Sequence, residues 1–187
     1  MKTKICFIAA ALLLSLGAFA QTDKKEAKKE NKKNLSDSDL KDAATFAVKA
    51  ADGGMFEVEA AKIAQIKGNS QSIKDLAKHM LDDHTKANGE LKDLASKKNI
   101  TLPTKVSDKL QKELDELNKL SGAEFDKEYA KEMVKDHKED VAMFEKEAKS
   151  GKDTEIKNWA SEKVPTLKHH LSMSENTWDN IKGIANK

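Results

Sequence analysis

Four stretches of roughly thirty residues, each with small or apolar side chains recurring every three or four positions and little to interrupt them, constrain this chain more than anything else in it. The first, residues 37–67, aligns Ala43, Ala47, Ala50, Gly54, Glu57, Ala61 and Ala64 in a seam small enough for a neighbouring helix to come close, with a candidate kink at Gly53–Gly54. The second, residues 71–98, aligns Leu76, Met80, His84, Ala87, Leu91 and Leu94, with Asn69 or Ser70 as its N-cap. The third opens at Ser121-Gly122-Ala123-Glu124, a capping-box pattern, and aligns Ala130, Met133, His137, Val141, Phe144 and Ala148. The fourth follows the turn residues 150–153 and aligns Ile156, Ala160, Leu167, His170, Leu171, Trp178 and Ile181, with Pro165 expected to kink it. Two prolines, few aromatic residues and an abundance of Ala, Leu, Lys and Glu complete an all-α expectation.

The connection between the second and third helices sets the topology. "NITLPT" (99–104) breaks the chain at Pro103, and a short amphipathic helix follows with Val106, Leu110, Leu114 and Leu117 on one side. The second helix spans about 40 Å at ~1.5 Å per residue, and the connection reaches roughly 44 Å. It can therefore cross the whole bundle and leave the second and third helices parallel. That predicts a ferritin-like four-helix bundle with a long, partly helical crossover, in place of a simple up-down-up-down order. A faint repeat, "MFEVEA" (55–60) with "MFEKEA" (143–148) and "IKDLA" (73–77) with "IKNWA" (156–160), suggests two related hairpins.

Residues 1–20 do not belong to that domain. A basic start at Lys2 and Lys4, an apolar run from Ile5 to Phe19, and Ala18 and Ala20 ahead of Gln21 form a secretory signal peptide with a small-residue cleavage site. The expected location is outside the cytoplasm, periplasmic or associated with an outer membrane. The only cysteine, Cys6, lies in that run without a lipobox, so the exported chain carries no thiol, disulfide or Cys-ligated metal. Loss of Lys2 and Lys4 leaves 32 basic residues against 32 acidic ones, and every basic residue is a lysine. Neither that balance nor the lack of arginine suits a nucleic-acid reader. No apolar stretch in the exported chain reaches the length of a membrane span. Residues 21–35, rich in lysine and with no apolar residue larger than alanine before Leu35, read as a disordered basic tail capable at most of weak contact with an anionic envelope surface. The bundle domain then occupies residues 36–187.

Four of the aligned residues carry chemistry. At ~1.5 Å per residue, in the topology above, Glu57, His84, His137 and His170 share one layer of the bundle within about a single turn. His79 and His169 fall off the inward stripes and should be surface residues. A carboxylate and three imidazoles converging in a dry core suit a transition metal, Cu, Zn, Fe or Mn. Met80 and Met133 stand one turn before His84 and His137, and Met173 one turn after His170, which adds soft donors favouring copper. Asp83 and Asp136, next to two of the histidines, are candidate supporting groups. The alternative is a hydrogen-bonded polar layer that sets helix register, with methionine as ordinary core filler. A di-iron carboxylate site is disfavoured, because no Glu stands three residues before any histidine. A Gly-rich phosphate loop and a thiol nucleophile are both missing, and the serines sit at turns, caps or charged faces, so no enzyme activity follows from the residues.

"GGMFEVEAAKIA", "MLDDHTKANGELKDLA", "LSGAEFDKEYAKEMVKDHKEDVAMFEKEA" and "VPTLKHHL" resemble the bacterial family known as domain of unknown function 4142, over roughly residues 40–182. The resemblance implies an exported protein placed among ferritin-like bundles, often labelled as outer-membrane. It also implies that Glu57, Asp83-His84, Asp136-His137 and His170 occupy the family's motif positions. It supplies no activity. Two functional readings stand beside each other: a bundle that binds a metal ion at a mid-bundle Glu/His layer, and a stress-related structural or interaction protein of the cell envelope whose layer is only a polar network.

Overall fold

The computed structural model describes residues 21–185, so the signal-peptide segment, residues 1–20, lies outside the described residues. Six helices follow one another: α1 (Lys24–Asn34), α2 (Ser38–Lys67), α3 (Gln71–Lys97), α4 (Asp108–Lys119), α5 (Gly122–Ser150) and α6 (Thr154–Ala185). The four long ones coincide with the four periodic stretches. Ser70 caps α3 by accepting from the Ile73 amide, as its position before the apolar stripe suggested. At Ser121 the expected capping box is not made: the residue is extended and its side chain makes no cap hydrogen bond. Pro165 lies inside α6 without ending it, and α2 runs unbroken through Gly53–Gly54.

Pairings between helices give the directions. Glu57 of α2 meets His84 of α3, and Gly54 faces Asn88, so these helices are antiparallel. A Cβ on Gly54 would strike the Asn88 amide, so glycine lets α3 approach α2 closely one turn before Glu57. Phe46 packs edge-on against Phe144, 5.0 Å between ring centroids, while Glu57 sits beside His137, making α2 and α5 antiparallel too. Glu90 contacts Trp159 and Lys163 as Asp83 contacts His170, so α3 and α6 also run in opposite senses. The second and third long helices, α3 and α5, are therefore parallel. Helix α4 makes that possible by climbing along α2: its N-terminal Ser107 bonds to Asp52, and its C-terminal carbonyls at Asn118 and Leu120 receive Lys67. The bundle is all-helical with one long crossover, as the linker length required.

The core divides into two apolar clusters along the bundle axis. One gathers Phe46, Leu91, Phe144, Ile156, Trp159 and Leu167; the other gathers Phe56, Ile73, Leu76, Met80, Tyr129 and Met133. The polar layer of Glu57 and the histidines falls between them.

The basic segment departs from expectation. Residues 24–34 are not a disordered tail but helix α1, capped by Asp23, whose carboxylate accepts from the amides of Lys25 and Glu26. It docks by few but specific contacts. Ala27 is buried, Lys24 pairs with Asp52 at 2.8 Å, and the Asn31 amide both donates to the Thr101 carbonyl and accepts from the Thr101 amide, at 2.8 and 2.7 Å. Composition misled here because the segment buries almost no apolar surface of its own. Polar bonds to the crossover do the anchoring. No helix among the described residues is long and apolar enough to cross a membrane.

Candidate metal centre

Each helix delivers one group to the layer. Glu57 comes from α2, His84 from α3, His137 from α5 and His170 from α6, and all four are at least nine-tenths buried. One ring nitrogen of each histidine lies within 4.8 Å of those of the other two. His84 Nε2 and His137 Nε2 are 3.3 Å apart. An ion with metal–nitrogen bonds of about 2.0–2.1 Å places two tetrahedral ligands about 3.3–3.4 Å apart, so this pair already spans a ligand edge. The Glu57 carboxylate stands 2.9 Å from His84 Nδ1 and 3.4 Å from His137 Nε2. Close as these contacts are, neither Glu57 oxygen is aligned for a hydrogen bond from any donor.

The ring orientations are set from behind. His137 Nδ1 lies 3.0 Å from the Met133 carbonyl, which can only accept, so the proton belongs on Nδ1 and the lone pair on Nε2 points into the layer. His170 Nε2 donates to Asp83 Oδ2 at 2.8 Å, leaving Nδ1 buried with its lone pair and no partner. A carboxylate or carbonyl behind the imidazole is the usual way a metal-binding histidine is oriented and made more basic. The two Asp-His pairs that look alike in sequence behave differently. Asp83 reaches across to His170 of α6, whereas Asp136 bonds to no histidine. Its carboxylate turns into the cleft between α2, α4 and α5, near Lys135 and Glu113, with Oδ2 buried and unpartnered.

Burial drives the groups of the layer toward their neutral forms. Burial pushes the Glu57 carboxyl up to about 8. Burial, with Glu132 and Glu57 nearby, pushes Asp136 up to about 8, and burial with Glu57 holds Asp140 well above the carboxylate range. The imidazoles move the other way. Burial takes His84 down to about 4, with Asp140 and Asp83 opposing; His170 falls to about 4 through burial and His84, against the pull of Asp83. His137 is held well below its usual value by burial and by the other two rings. Burial disfavours the charged form of every one of these groups.

Among the methionines, Met80 and Met133 are buried in the second apolar cluster and Met173 packs against it half-buried. Met133 serves the layer through its backbone carbonyl. His79 and His169 are exposed, as their stripe positions predicted. Asp140 escaped the sequence reading although the signal was present, since it stands three residues after His137 and so on the same face of α5. It lines, with Glu57, His84 and His170, a cavity of about 90 Å³ beside the layer. Tyr129, two turns before His137, is also buried with an unpartnered hydroxyl, and burial together with the Glu57 charge raises its pKa.

Comparison with known proteins gives one match. Residues 22–177 match the family described as "Domain of unknown function (DUF4142)", and the chain belongs to that family. No curated protein and no solved structure matches it.

Proposed function

We propose that this DUF4142 member binds one transition-metal ion in its mid-bundle layer, with His84, His137 and His170 as nitrogen ligands and Glu57 as the oxygen ligand. The observation that carries the reading is the cluster of His84, His137 and His170 with ring nitrogens within 4.8 Å of one another, beside a Glu57 carboxylate 1% exposed that touches His84 and His137 and whose two oxygens have no hydrogen-bond partner. Native proteins rarely leave buried polar atoms unpaired, and a bound cation satisfies all of them together. Three nitrogens and one oxygen suit Zn, Cu or Fe. The sulfurs of Met80 and Met133, committed to the apolar core, give no separate preference for Cu(I).

A second reading has its own support. A protonated Glu57 can donate to His84 Nδ1, His84 Nε2–H to His137 Nε2, and His137 Nδ1–H to the Met133 carbonyl. The spacings of 2.9, 3.3 and 3.0 Å allow that chain. It leaves His170 Nδ1 unpartnered and needs better alignment at Glu57 than the geometry offers, so the metal reading accounts for more of the layer. In the polar-layer reading the protein is a structural or interaction component of the envelope, acting through its charged surface. Either role is placed outside the cytoplasm by the reading of residues 1–20 as a signal peptide, and cleavage after Ala20 is checked by N-terminal sequencing of the exported protein.

Elemental analysis of protein purified from the periplasm tests the choice. The metal reading expects close to one equivalent of metal in the native chain and none in a His84→Ala/His137→Ala variant that remains folded. A native chain that stays metal-free after dialysis against Zn(II), Cu(II) and Fe(II) in turn would sink it.

A further inference from the structure

The cavity beside the layer points to a second ligand. Its volume is about 90 Å³, and its walls have two characters. At one end stand Glu57, His84, His170 and Asp140. The other end is apolar, formed mainly by Phe144, Trp159 and Leu167. Lys86 of α3 and Lys163 of α6, the latter paired with Glu90, also line the cavity. One water needs only about 10–15 Å³ of such space, so the cavity has room for a small molecule. Four protein ligands around a tetrahedral ion would close the site, but an ion that keeps or gains one further position finds here a space bordered by Glu57, His84 and His170 in which a further ligand could sit.

We propose that the cavity receives a small exchangeable ligand of the bound ion, an anion or neutral molecule of a few non-hydrogen atoms that coordinates through one end. The inference rests on the metal reading above and adds to it an open coordination position. Its shape follows from the walls: a coordinating head meets the donor groups, while the rest lies against the apolar faces of Phe144, Trp159 and Leu167. Ala87 and Thr166 line the space from α3 and α6, so enlarging either side chain obstructs it without altering a ligand to the ion.

The test uses the full exported chain loaded with one equivalent of Cu(II) and titrated with azide, following the azide-to-copper charge-transfer band. The expected result is a saturable band in the native protein with copper retained on equilibrium dialysis. In Ala87→Leu the azide affinity should fall at least tenfold at unchanged copper content; Thr166→Leu is read the same way should Ala87→Leu not fold by circular dichroism. Copper that binds without giving an azide band overturns the inference and leaves the metal site standing. Azide that strips the copper, or binds both enlarged variants as tightly as the native protein, also overturns it. Failure to take up copper or any other tested metal overturns the metal reading first, and the inference with it.

Discussion

Asp52 and Glu57 lie five residues apart on α2 and are equally buried, yet the fold treats them in opposite ways. Asp52 accepts from the Ser107 amide at 2.7 Å, from the Ser107 hydroxyl at 2.9 Å and from Lys24 at 2.8 Å. Every lone-pair direction that matters is answered, by the crossover on one side and by α1 on the other. Glu57 has imidazoles at similar distances and no aligned donor, and burial raises its carboxyl to about 8. Asp126 repeats the first solution, accepting from the amides of Asn69 and Ser70 to hold the α2–α3 turn. The fold therefore knows how to satisfy a buried carboxylate from its own backbone. Glu57 does not receive that solution, and this contrast is what supports the proposed metal reading.

The largest expected effect breaks the comparison at its centre. With free metal at a hundred times its dissociation constant, binding adds about 2.7 kcal/mol of stability, roughly 5–10 °C in melting temperature for a chain of this size. Scanning calorimetry should show that shift in the native protein and in His79→Ala/His169→Ala, and no shift in Glu57→Ala/His84→Ala. Next comes Asp52→Ala, which strands the Ser107 amide and the part-exposed Lys24 ammonium and should cost about 2 kcal/mol in urea unfolding. Metal uptake by Asp52→Ala should be unchanged. A variant that loses its metal as well would erase the distinction between the two carboxylates.

The pH dependence of the metal-free protein sharpens the same contrast. Glu57 and Asp136 have folded pKa values raised to about 8, so the stability they contribute is present at low pH and is lost as pH rises toward 8. His84 and His170 are lowered to about 4, so their contribution is present above their ordinary value near 6.5 and is lost as pH falls toward 4. Between about 6.5 and 8 only the acids titrate differently in the two states. Stability should fall across that window by up to about 1.4 kcal/mol per pH unit for each group. Glu57→Gln should flatten the fall, and bound metal should abolish the Glu57 share; urea midpoints at a series of pH values check both. The smallest effect belongs to α1. Asn31→Ala leaves the Thr101 amide and carbonyl without their partner, for about 1–2 kcal/mol. Limited proteolysis should then cut within residues 24–34 while the bundle survives.

Much of this was legible before folding. The extents of the long helices followed from apolar periodicity and, at Ser70, from a capping residue, since both act within a few residues of chain. The parallel order of α3 and α5 followed from length, because only a crossover that spans the bundle permits it. Even the layer of Glu57, His84, His137 and His170 was readable from a constant rise per residue. What failed was non-local. The docking of α1 depends on Asn31 meeting the backbone of Thr101, seventy residues away, and the unlike roles of Asp83 and Asp136 depend on which neighbouring helix faces each.

The sequence by itself determined that this chain forms long helices, how they are connected and at what height its chemical groups stand, because those properties are set by local propensity and by counting residues along an axis. Only the tertiary structure decided the rotation of each side chain about that axis. That rotation makes Asp83 a partner of His170, aims the lone pairs of His137 and His170 inward, and leaves Glu57 without a hydrogen bond. Hydrogen-bond geometry depends on angles between elements far apart in the chain, and no spacing within one helix encodes them.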